Sequence, residues 1–373
     1  MLNHWLRPVD LKQISVYDQL SRRQLGRRIF IYQDYLPNLA DYHIAIVGVG
    51  EADTNAIRNA LYSLDFPFRK MRIVDLGNVG NEDPSFIISL LSELLVSGLF
   101  PLVIANTAAP IHAQFKAYQS FQQMVNLVMV DEKIDFQPDR RKKKRGLIND
   151  LLKSKKPRLF NLGFIGHQSY YTPRSVLDNF DKLNFEYLRL GHLRPELEEA
   201  EPLIRDADML SFNIAAMRSS EAPAQAAPTP SGLHIEEACT ISRYAGMSDK
   251  LSSIGFYGFQ TLHDQRDQTA LFMAQMIWYF LDGYYNRKQD FPVSNEGLLE
   301  YIVEFKKLDY YLTFWKSPKS GRWWVQLPLR QQKKYQRHRL IPCSYKDYVL
   351  ACKDELPQRL LNAYKRFTEK RKI

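Results

Sequence analysis

The alternation of short apolar runs with amphipathic segments, between residues 43 and about 290, constrains the fold of this chain more than any other feature. Uninterrupted apolar runs are typical of strands buried on both faces, and the stretches between them leave room for crossover helices. The pattern predicts an α/β fold with its functional groups beyond the carboxyl ends of the strands. An open sheet and a closed barrel both fit this periodicity.

The runs and segments predict eight strands and six helices. The strands are His43–Val49, Arg72–Gly77, Pro101–Thr107, Asn126–Asp131, Asn161–His167, Glu186–Gly191, Met209–Ala215 and Lys250–Phe259. The helices are Asp83–Ser97, Ile111–Gln123, Arg174–Lys182, Pro195–Asp206, Ile235–Ala245 and Asp267–Asn286.

Two segments interrupt the alternation. Residues Met217–Ser231 are rich in Ala, Pro and Ser, which predicts an irregular loop directly after a strand. From about Glu296 the composition becomes aromatic and basic, and the stretch DYYLTFWKS…SGRWWVQLP predicts a β-hairpin with its turn at Ser317–Gly321. We expect an N-terminal arm (1–40), a sheet domain (41–292) and an extension (293–373) that docks on the sheet domain through its aromatic residues.

Cysteine content and hydropathy favour a cytoplasmic protein without a membrane span. The 373 residues include three cysteines, Cys239, Cys343 and Cys352, which form no CxxC pair. This argues against a disulfide framework and against a thiolate metal site. The first residues lack the apolar core of a signal peptide, and the longest apolar stretch, Thr269–Leu281, is too short and mixed to cross a bilayer.

The formal net charge of +10 raises the question of nucleic-acid or acidic-lipid binding. Much of the positive charge lies in Arg140–Arg145 (RRKKKR), in Lys153–Arg158 and in the C-terminal tail. A solvated loop and a phosphate-binding patch both fit RRKKKR, and the solvated loop is the simpler interpretation. No recognition-helix pattern or glycine-rich phosphate loop accompanies these residues, so no motif supports nucleic-acid binding.

Three segments follow predicted strands, where functional groups are expected: IANTAAP (Ile104–Pro110), DEKID (Asp131–Asp135) and SFNIAAMRS (Ser211–Ser219). They resemble the GGDH, DAHxD and SxDxDxxDP motifs of the ureohydrolase superfamily (arginase, agmatinase and formimidoylglutamase). GLHIEEA (Gly232–Ala238) is similar to the family's GLTxxEx segment, and Gln268–Gly283 is similar to its final helix. The resemblance covers about residues 40–290. It is closest to divergent formimidoylglutamase-like proteins of Bacteroidota-type bacteria, which also have an aromatic C-terminal extension.

The resemblance implies a three-layer αβα sandwich with an eight-stranded parallel sheet, and a pair of manganese ions that activates water. Two such ions, about 3.5–4 Å apart, need several carboxylates and imidazoles to fill their coordination shells. In register, the family's six ligand positions are Ala108, Asp131, Lys133, Asp135, Asn213 and Ala215. Only Asp131 and Asp135 have side chains that bind such ions strongly. Asn213 is a weak neutral ligand, and the side chains at the other three positions are not ligands. We therefore expect the metal site to be lost and no cofactor to be bound.

Lys133 suggests how the vacated site is stabilised. Residues 131, 133 and 135 share one face of an extended segment. An ammonium there would offset the repulsion between Asp131 and Asp135. We predict an ion pair between Lys133 and one of these acids, with a solvent-facing Lys133 as the alternative.

Three further residues are candidates for the pocket. Glu237 matches the glutamate that contacts the substrate's cationic group in the family, although an acid favoured by the dipole at a helix N-terminus explains it equally well. His112 and His167 lie near the expected pocket and, with Asp131 and Asp135, form the lesser alternative of a rebuilt single-metal site. Structural histidines are the simpler interpretation.

The leading functional prediction is a ureohydrolase-fold protein that has lost its metal centre and acts as a non-catalytic binding or scaffolding module. The alternative is an active hydrolase of linear amidine or guanidine C–N bonds that uses a reduced metal site. We also predict that the extension contacts a protein partner or a second copy of the chain, with internal packing of the whole element beneath a charged rim as the alternative. Adjacent residues of a strand face opposite ways, so one of Trp323 and Trp324 is expected to remain accessible beside Arg322.

Overall fold

The computed structural model describes residues 4–121, 124–137, 146–156, 158–292, 295–305, 310–327 and 339–368. The predicted RRKKKR loop, Arg140–Arg145, lies outside the described residues.

A ten-stranded sheet forms the centre of the main domain. Its strands are β1 (Leu6–Arg7), β2 (Phe30–Ile31), β3 (Ile44–Val49), β4 (Ile73–Val79), β5 (Phe100–Ala105), β6 (Val125–Val130), β7 (Leu159–His167), β8 (Glu186–Arg189), β9 (Met209–Asn213) and β10 (Ser253–Tyr257). Strands β3 to β10 are the eight predicted ones, and they pair in parallel in the order β4-β3-β5-β10-β9-β6-β7-β8. The sheet runs from β8 at one edge to β4 near the other, so it is open rather than a barrel.

The N-terminal arm extends the sheet at its β4 edge. Strand β1 pairs with β4 in antiparallel orientation, and β2 pairs with the same strand in parallel. The backbone N–H of Val9 donates to the carbonyl of Tyr32 at 2.9 Å, which links the two arm strands.

Helices cover both faces of the sheet and give the predicted three layers. They are α1 (Glu51–Tyr62), α2 (Pro84–Val96), α3 (Pro110–Lys116), α4 (Leu147–Lys153), α5 (Arg174–Lys182), α6 (Leu190–Leu193), α7 (Ala200–Arg205), α8 (Ile235–Met247) and α9 (Gln268–Tyr285). One hydrophobic cluster joins the sheet to α1, α7, α8 and α9, and a second joins it to α2, α3, α4 and α5. No helix in the described ranges is long and apolar enough to cross a membrane.

Several helical segments differ from the prediction: α4 and α6 were not predicted, and three further differences have local reasons. Helix α1 was not predicted, because Thr54, Asn55 and Arg58 on its buried face break the apolar period. Helix α3 ends at Lys116 and continues as a short 3₁₀ turn. The predicted helix over 195–206 is regular only from Ala200 onward, since the preceding 3₁₀ segment contains a non-helical residue. The other predicted helices agree within two residues at each end, and Met217–Ser231 is an irregular loop.

The C-terminal extension is a separate antiparallel sheet covered by two helices. Its elements are β11 (Leu299–Phe305), β12 (Tyr310–Lys316), β13 (Trp323–Gln326), β14 (Leu340–Cys343), α10 (Tyr345–Cys352) and α11 (Gln358–Thr368). Strands β12 and β13 form the predicted hairpin, with Phe314 opposite Val325 and Lys316 opposite Trp323.

The prediction that one hairpin tryptophan stays accessible is wrong. Trp323 is 7% exposed and Trp324 is 1% exposed. The Trp323 ring stacks on Tyr348 of α10 with centroids 4.9 Å apart, while the guanidinium of Arg205 lies 4.5 Å from the Trp324 ring centroid. One hairpin face is therefore covered by the extension's own helix and the other by the main domain, and Arg322 is buried in the same contact.

Candidate functional site

The carboxyl ends of β6 and β9 bring two of the predicted site residues into direct contact. Asn213 Nδ2 donates to Asp131 Oδ2 at 2.9 Å. The orientation of this amide is fixed, because Asn213 Oδ1 accepts the backbone N–H of Ala215 at 3.1 Å and leaves the NH₂ group for Asp131. Gly258 at the end of β10 leaves room for this amide, since a Cβ there would lie 2.5 Å from Asn213 Oδ1.

The carboxyl group of Asp131 has an unusually high pKa. Burial raises the pKa of its carboxyl group to about 7. The Asn213 amide and the backbone N–H of Glu132, at 2.7 Å from Asp131 Oδ1, lower this pKa but only partly offset burial. Near neutral pH, Asp131 is therefore a mixture of acid and carboxylate rather than a fixed negative charge.

The predicted ion pair of Lys133 is absent. Lys133 is exposed, and no ion pair within the described part of the chain includes it. The reason is the alternation of the segment, in which Glu132 and Ile134 are buried and the intervening side chain faces solvent. Asn213, rather than Lys133, is the partner of Asp131.

Asp135 serves the following helix. Its Oδ2 accepts the backbone N–H of Leu147 at 2.8 Å, and its carbonyl accepts that of Ile148 at 3.2 Å, both in the first turn of α4. Gly146 permits this close approach, because a Cβ there would lie 2.2 Å from the Asp135 carbonyl oxygen. Asp131 and Asp135 therefore form hydrogen bonds with different parts of the fold.

Neither histidine belongs to a cluster of metal-ligating side chains among the residues that the structure describes. His167, at the end of β7, is almost fully buried against the rings of Phe164 and Tyr187. Burial, with a smaller contribution from Arg189, lowers its pKa to about 4, so this imidazole is neutral at pH 7. His112 lies on α3, and burial also lowers its pKa.

No three His, Cys, Asp or Glu side chains come together as a metal site among the residues that the structure describes. Ala108 and Ala215 offer no side-chain donor atom, and the Asn213 amide presents hydrogens to Asp131. This set of side chains does not fit a pair of manganese ions.

Glu237 is occupied as a capping residue. Its Oε2 accepts the backbone N–H of His234 at 2.8 Å at the start of α8, and its Oε1 lies 3.4 Å from Arg194 Nε. This geometry agrees with the capping interpretation.

Sequence reasoning missed a second carboxylate at the same helix end. Glu221, from the loop Met217–Ser231, accepts the backbone N–H of Ile235 at 2.6 Å and contacts His234 Nδ1 at 2.9 Å. The two partners lie 13 and 14 residues away in an irregular loop, so no periodicity could have indicated the contact.

The model of the arginase family matches residues 51–282, and the chain belongs to that family. Formiminoglutamase of Trypanosoma cruzi, solved with Mn²⁺, is 16% identical and covers 71% of this chain and 99% of its own, with a TM-score of 0.62. Formimidoylglutamase of Bacillus subtilis is 17% identical over 72% of this chain and 93% of its own, with a TM-score of 0.61.

Agmatine ureohydrolase of Thermoplasma volcanium is 17% identical over 73% of this chain and 98% of its own, with a TM-score of 0.52. No curated protein matches the sequence significantly. At these identities, the likeness to solved structures establishes a shared fold.

Proposed function

We propose that this arginase-family protein is a non-catalytic binding or scaffolding module. The hydrogen bond from Asn213 to Asp131 carries the proposal. The resemblance assigns a metal ligand to both positions, yet here one side chain donates to the other. A cation shared by the two residues would need donor oxygens from both, whereas the amide directs its hydrogens at the carboxylate.

Electrostatics support the same conclusion. Two divalent cations need several carboxylates to offset a total charge of +4. Of the six positions only Asp131 and Asp135 carry carboxylates, and Asp135 already accepts the backbone N–H of Leu147 at the start of α4. The remaining positions contribute an exposed ammonium and two methyl groups.

Hydrolysis assays test the proposal. Purified protein saturated with Mn²⁺ is expected to release no ammonia, formamide or urea from formiminoglutamate, arginine or agmatine. Metal-dependent release that Asp131→Ala abolishes would contradict the proposal and favour the alternative, an active linear amidine hydrolase.

The predicted contact with a protein partner or a second copy remains a proposal, but the residues that would form it differ from those predicted. Trp323, Trp324 and Arg322 are buried, whereas Ile302 and Tyr311 on the paired strands β11 and β12 are exposed. Sedimentation of the wild type and of Ile302→Ser with Tyr311→Ser tests self-association. A dimer that the double variant weakens is the expected result for contact between copies, and identical monomers would contradict it.

A further inference from the structure

A surface cavity of about 430 Å³ opens at the amino ends of β3 and β4, at the opposite end of the sheet from Asp131 and Asn213. Its size falls within the range of small-molecule sites, about 300–1,000 Å³. The lining residues that matter for binding are Arg28, Arg69, Arg72, Asp41, Phe30 and Tyr42.

The lining carries three cations without protein partners. The guanidinium groups of Arg28, Arg69 and Arg72 are exposed, and none forms an ion pair or a side-chain hydrogen bond with any described residue. Asp41 is the one acid among the lining residues, which leaves a formal net charge of +2. A concave surface with this charge favours an anion.

The backbone that carries these groups is fixed before any ligand binds. His43 N–H donates to the Arg72 carbonyl at 2.9 Å, and Arg72 N–H donates to His43 Nδ1 at 3.0 Å. These two bonds tie the segment of Tyr42 to the segment of Arg72. Phe30 pairs in register with Val74, and its ring lies 6.1 Å from that of Tyr42. The walls are therefore ordered parts of the sheet edge, which reduces the entropy cost of binding.

We propose that this cavity binds a small organic phosphate. Arginine is suited to phosphate because its planar guanidinium donates two parallel hydrogen bonds to phosphate oxygens. Arg28, Arg69 and Arg72 hold the phosphate group, and the half-buried rings of Phe30 and Tyr42 contact the organic part. The site is separate from the vacated metal position, so the proposal does not depend on the loss of hydrolysis.

Calorimetric titration with adenosine monophosphate, inorganic phosphate and uncharged adenosine tests the proposal. Both phosphates are expected to bind the wild type, and adenosine is expected not to bind. The double variant Arg69→Ala with Arg72→Ala should weaken binding at least about tenfold, because each side chain supplies charge-assisted hydrogen bonds. Arg22→Ala is the matched control, since Arg22 is exposed and lies outside the cavity lining.

Three results would overturn the proposal. The first is that neither phosphate binds the wild type, and the second is that adenosine binds as tightly as its monophosphate. The third is that Arg22→Ala weakens binding as much as the double variant, which would indicate diffuse surface charge. A single-stranded oligonucleotide that binds where both small phosphates fail would assign the surface to nucleic acid instead. Thermal melts of all variants establish that each one is folded.

Discussion

At the residue scale, burial raises the pKa of Asp131, and the hydrogen bond from Asn213 partly offsets this effect. The amide satisfies one carboxylate oxygen at 2.9 Å, while the backbone N–H of Glu132 satisfies the other. The sequence identifies Asn213 as a substituted ligand position, but it does not show which way the amide points. That orientation depends on the N–H of Ala215, which is a property of the folded backbone.

Replacing the donor by an acid should destabilise the protein in a pH-dependent way. In Asn213→Asp two carboxyl groups meet at hydrogen-bond distance, and they cannot both ionise without repulsion. We expect a loss of about 2 kcal/mol in the free energy of unfolding at pH 8, and a smaller loss at pH 5, where one group retains a proton. Denaturant titrations at both pH values measure the difference.

Asn213→Ala separates the two effects in this experiment. This variant removes the donor without adding a charge. Its loss in the free energy of unfolding should therefore change less between pH 5 and pH 8. Equal pH dependence of the two variants would contradict the assigned contact between residue 213 and Asp131.

We predict that the buried His167 makes the protein less stable in acid. Its pKa is lowered to about 4 in the folded protein, against an ordinary value of 6.5, so the unfolded chain binds the proton more tightly. Stability should therefore fall as the pH decreases from about 6.5 to about 4. His167→Phe keeps an aromatic ring beside Phe164 and Tyr187 and removes the titration.

Unfolding titrations from pH 7 to pH 4 measure this effect. We expect the wild type to lose about 2 kcal/mol more than His167→Phe over that range. Parallel pH profiles of the two proteins would show that the imidazole is not held neutral by burial.

At the element scale, continuity of apolar sequence decided what could be predicted. Seven of the eight parallel strands are mostly apolar and buried, whereas β8 is a short, half-buried edge strand; each was located within three residues at either end. Helix α1 was missed because its buried face holds Arg58, whose guanidinium pairs with Asp75 inside the fold at 2.9 Å. A buried ion pair looks like solvent-facing polarity when the partner is distant in sequence.

The C-terminal extension shows a similar limit of prediction from sequence patterns. Strand alternation correctly placed Trp323 and Trp324 on opposite faces of the hairpin. It did not reveal that α10 covers one face and that the main domain covers the other. The sequence pattern describes one strand, whereas burial depends on the layers packed against both of its faces.

Arg205 should be essential for docking the extension. Its side chain is 4% exposed, lies over the Trp324 ring and donates to the carbonyls of Trp323 and Cys343 at 3.2 Å. Arg205→Ala removes these contacts and leaves Glu201 with fewer partners, so we expect a loss of about 3 kcal/mol.

Arg174→Ala is the control for this change. Arg174 is 78% exposed and pairs with Asp178 one turn along the same helix, so its loss should cost less than about 0.5 kcal/mol. Denaturant unfolding compares the two variants. Similar small losses would mean that Arg205 does not hold the extension to the main domain.

At the scale of the whole molecule, an arginase-family fold carries a hydrogen-bonded pair, Asp131 and Asn213, at the ends of its strands. The sheet depends on apolar burial along the strands, and this does not require particular residues beyond their carboxyl ends. The fold could therefore be predicted from periodicity and motif order. The polar contacts at the strand ends could not, because they join residues such as Asp131 and Asn213 that lie 82 positions apart.

Metal binding is the most direct test of the central claim. Purified protein is equilibrated with excess Mn²⁺, freed of unbound ion and analysed for its metal content. The account predicts far less than one Mn²⁺ per chain, with a content unchanged by Asp131→Ala. Two Mn²⁺ per chain, lost on Asp131→Ala, would contradict it.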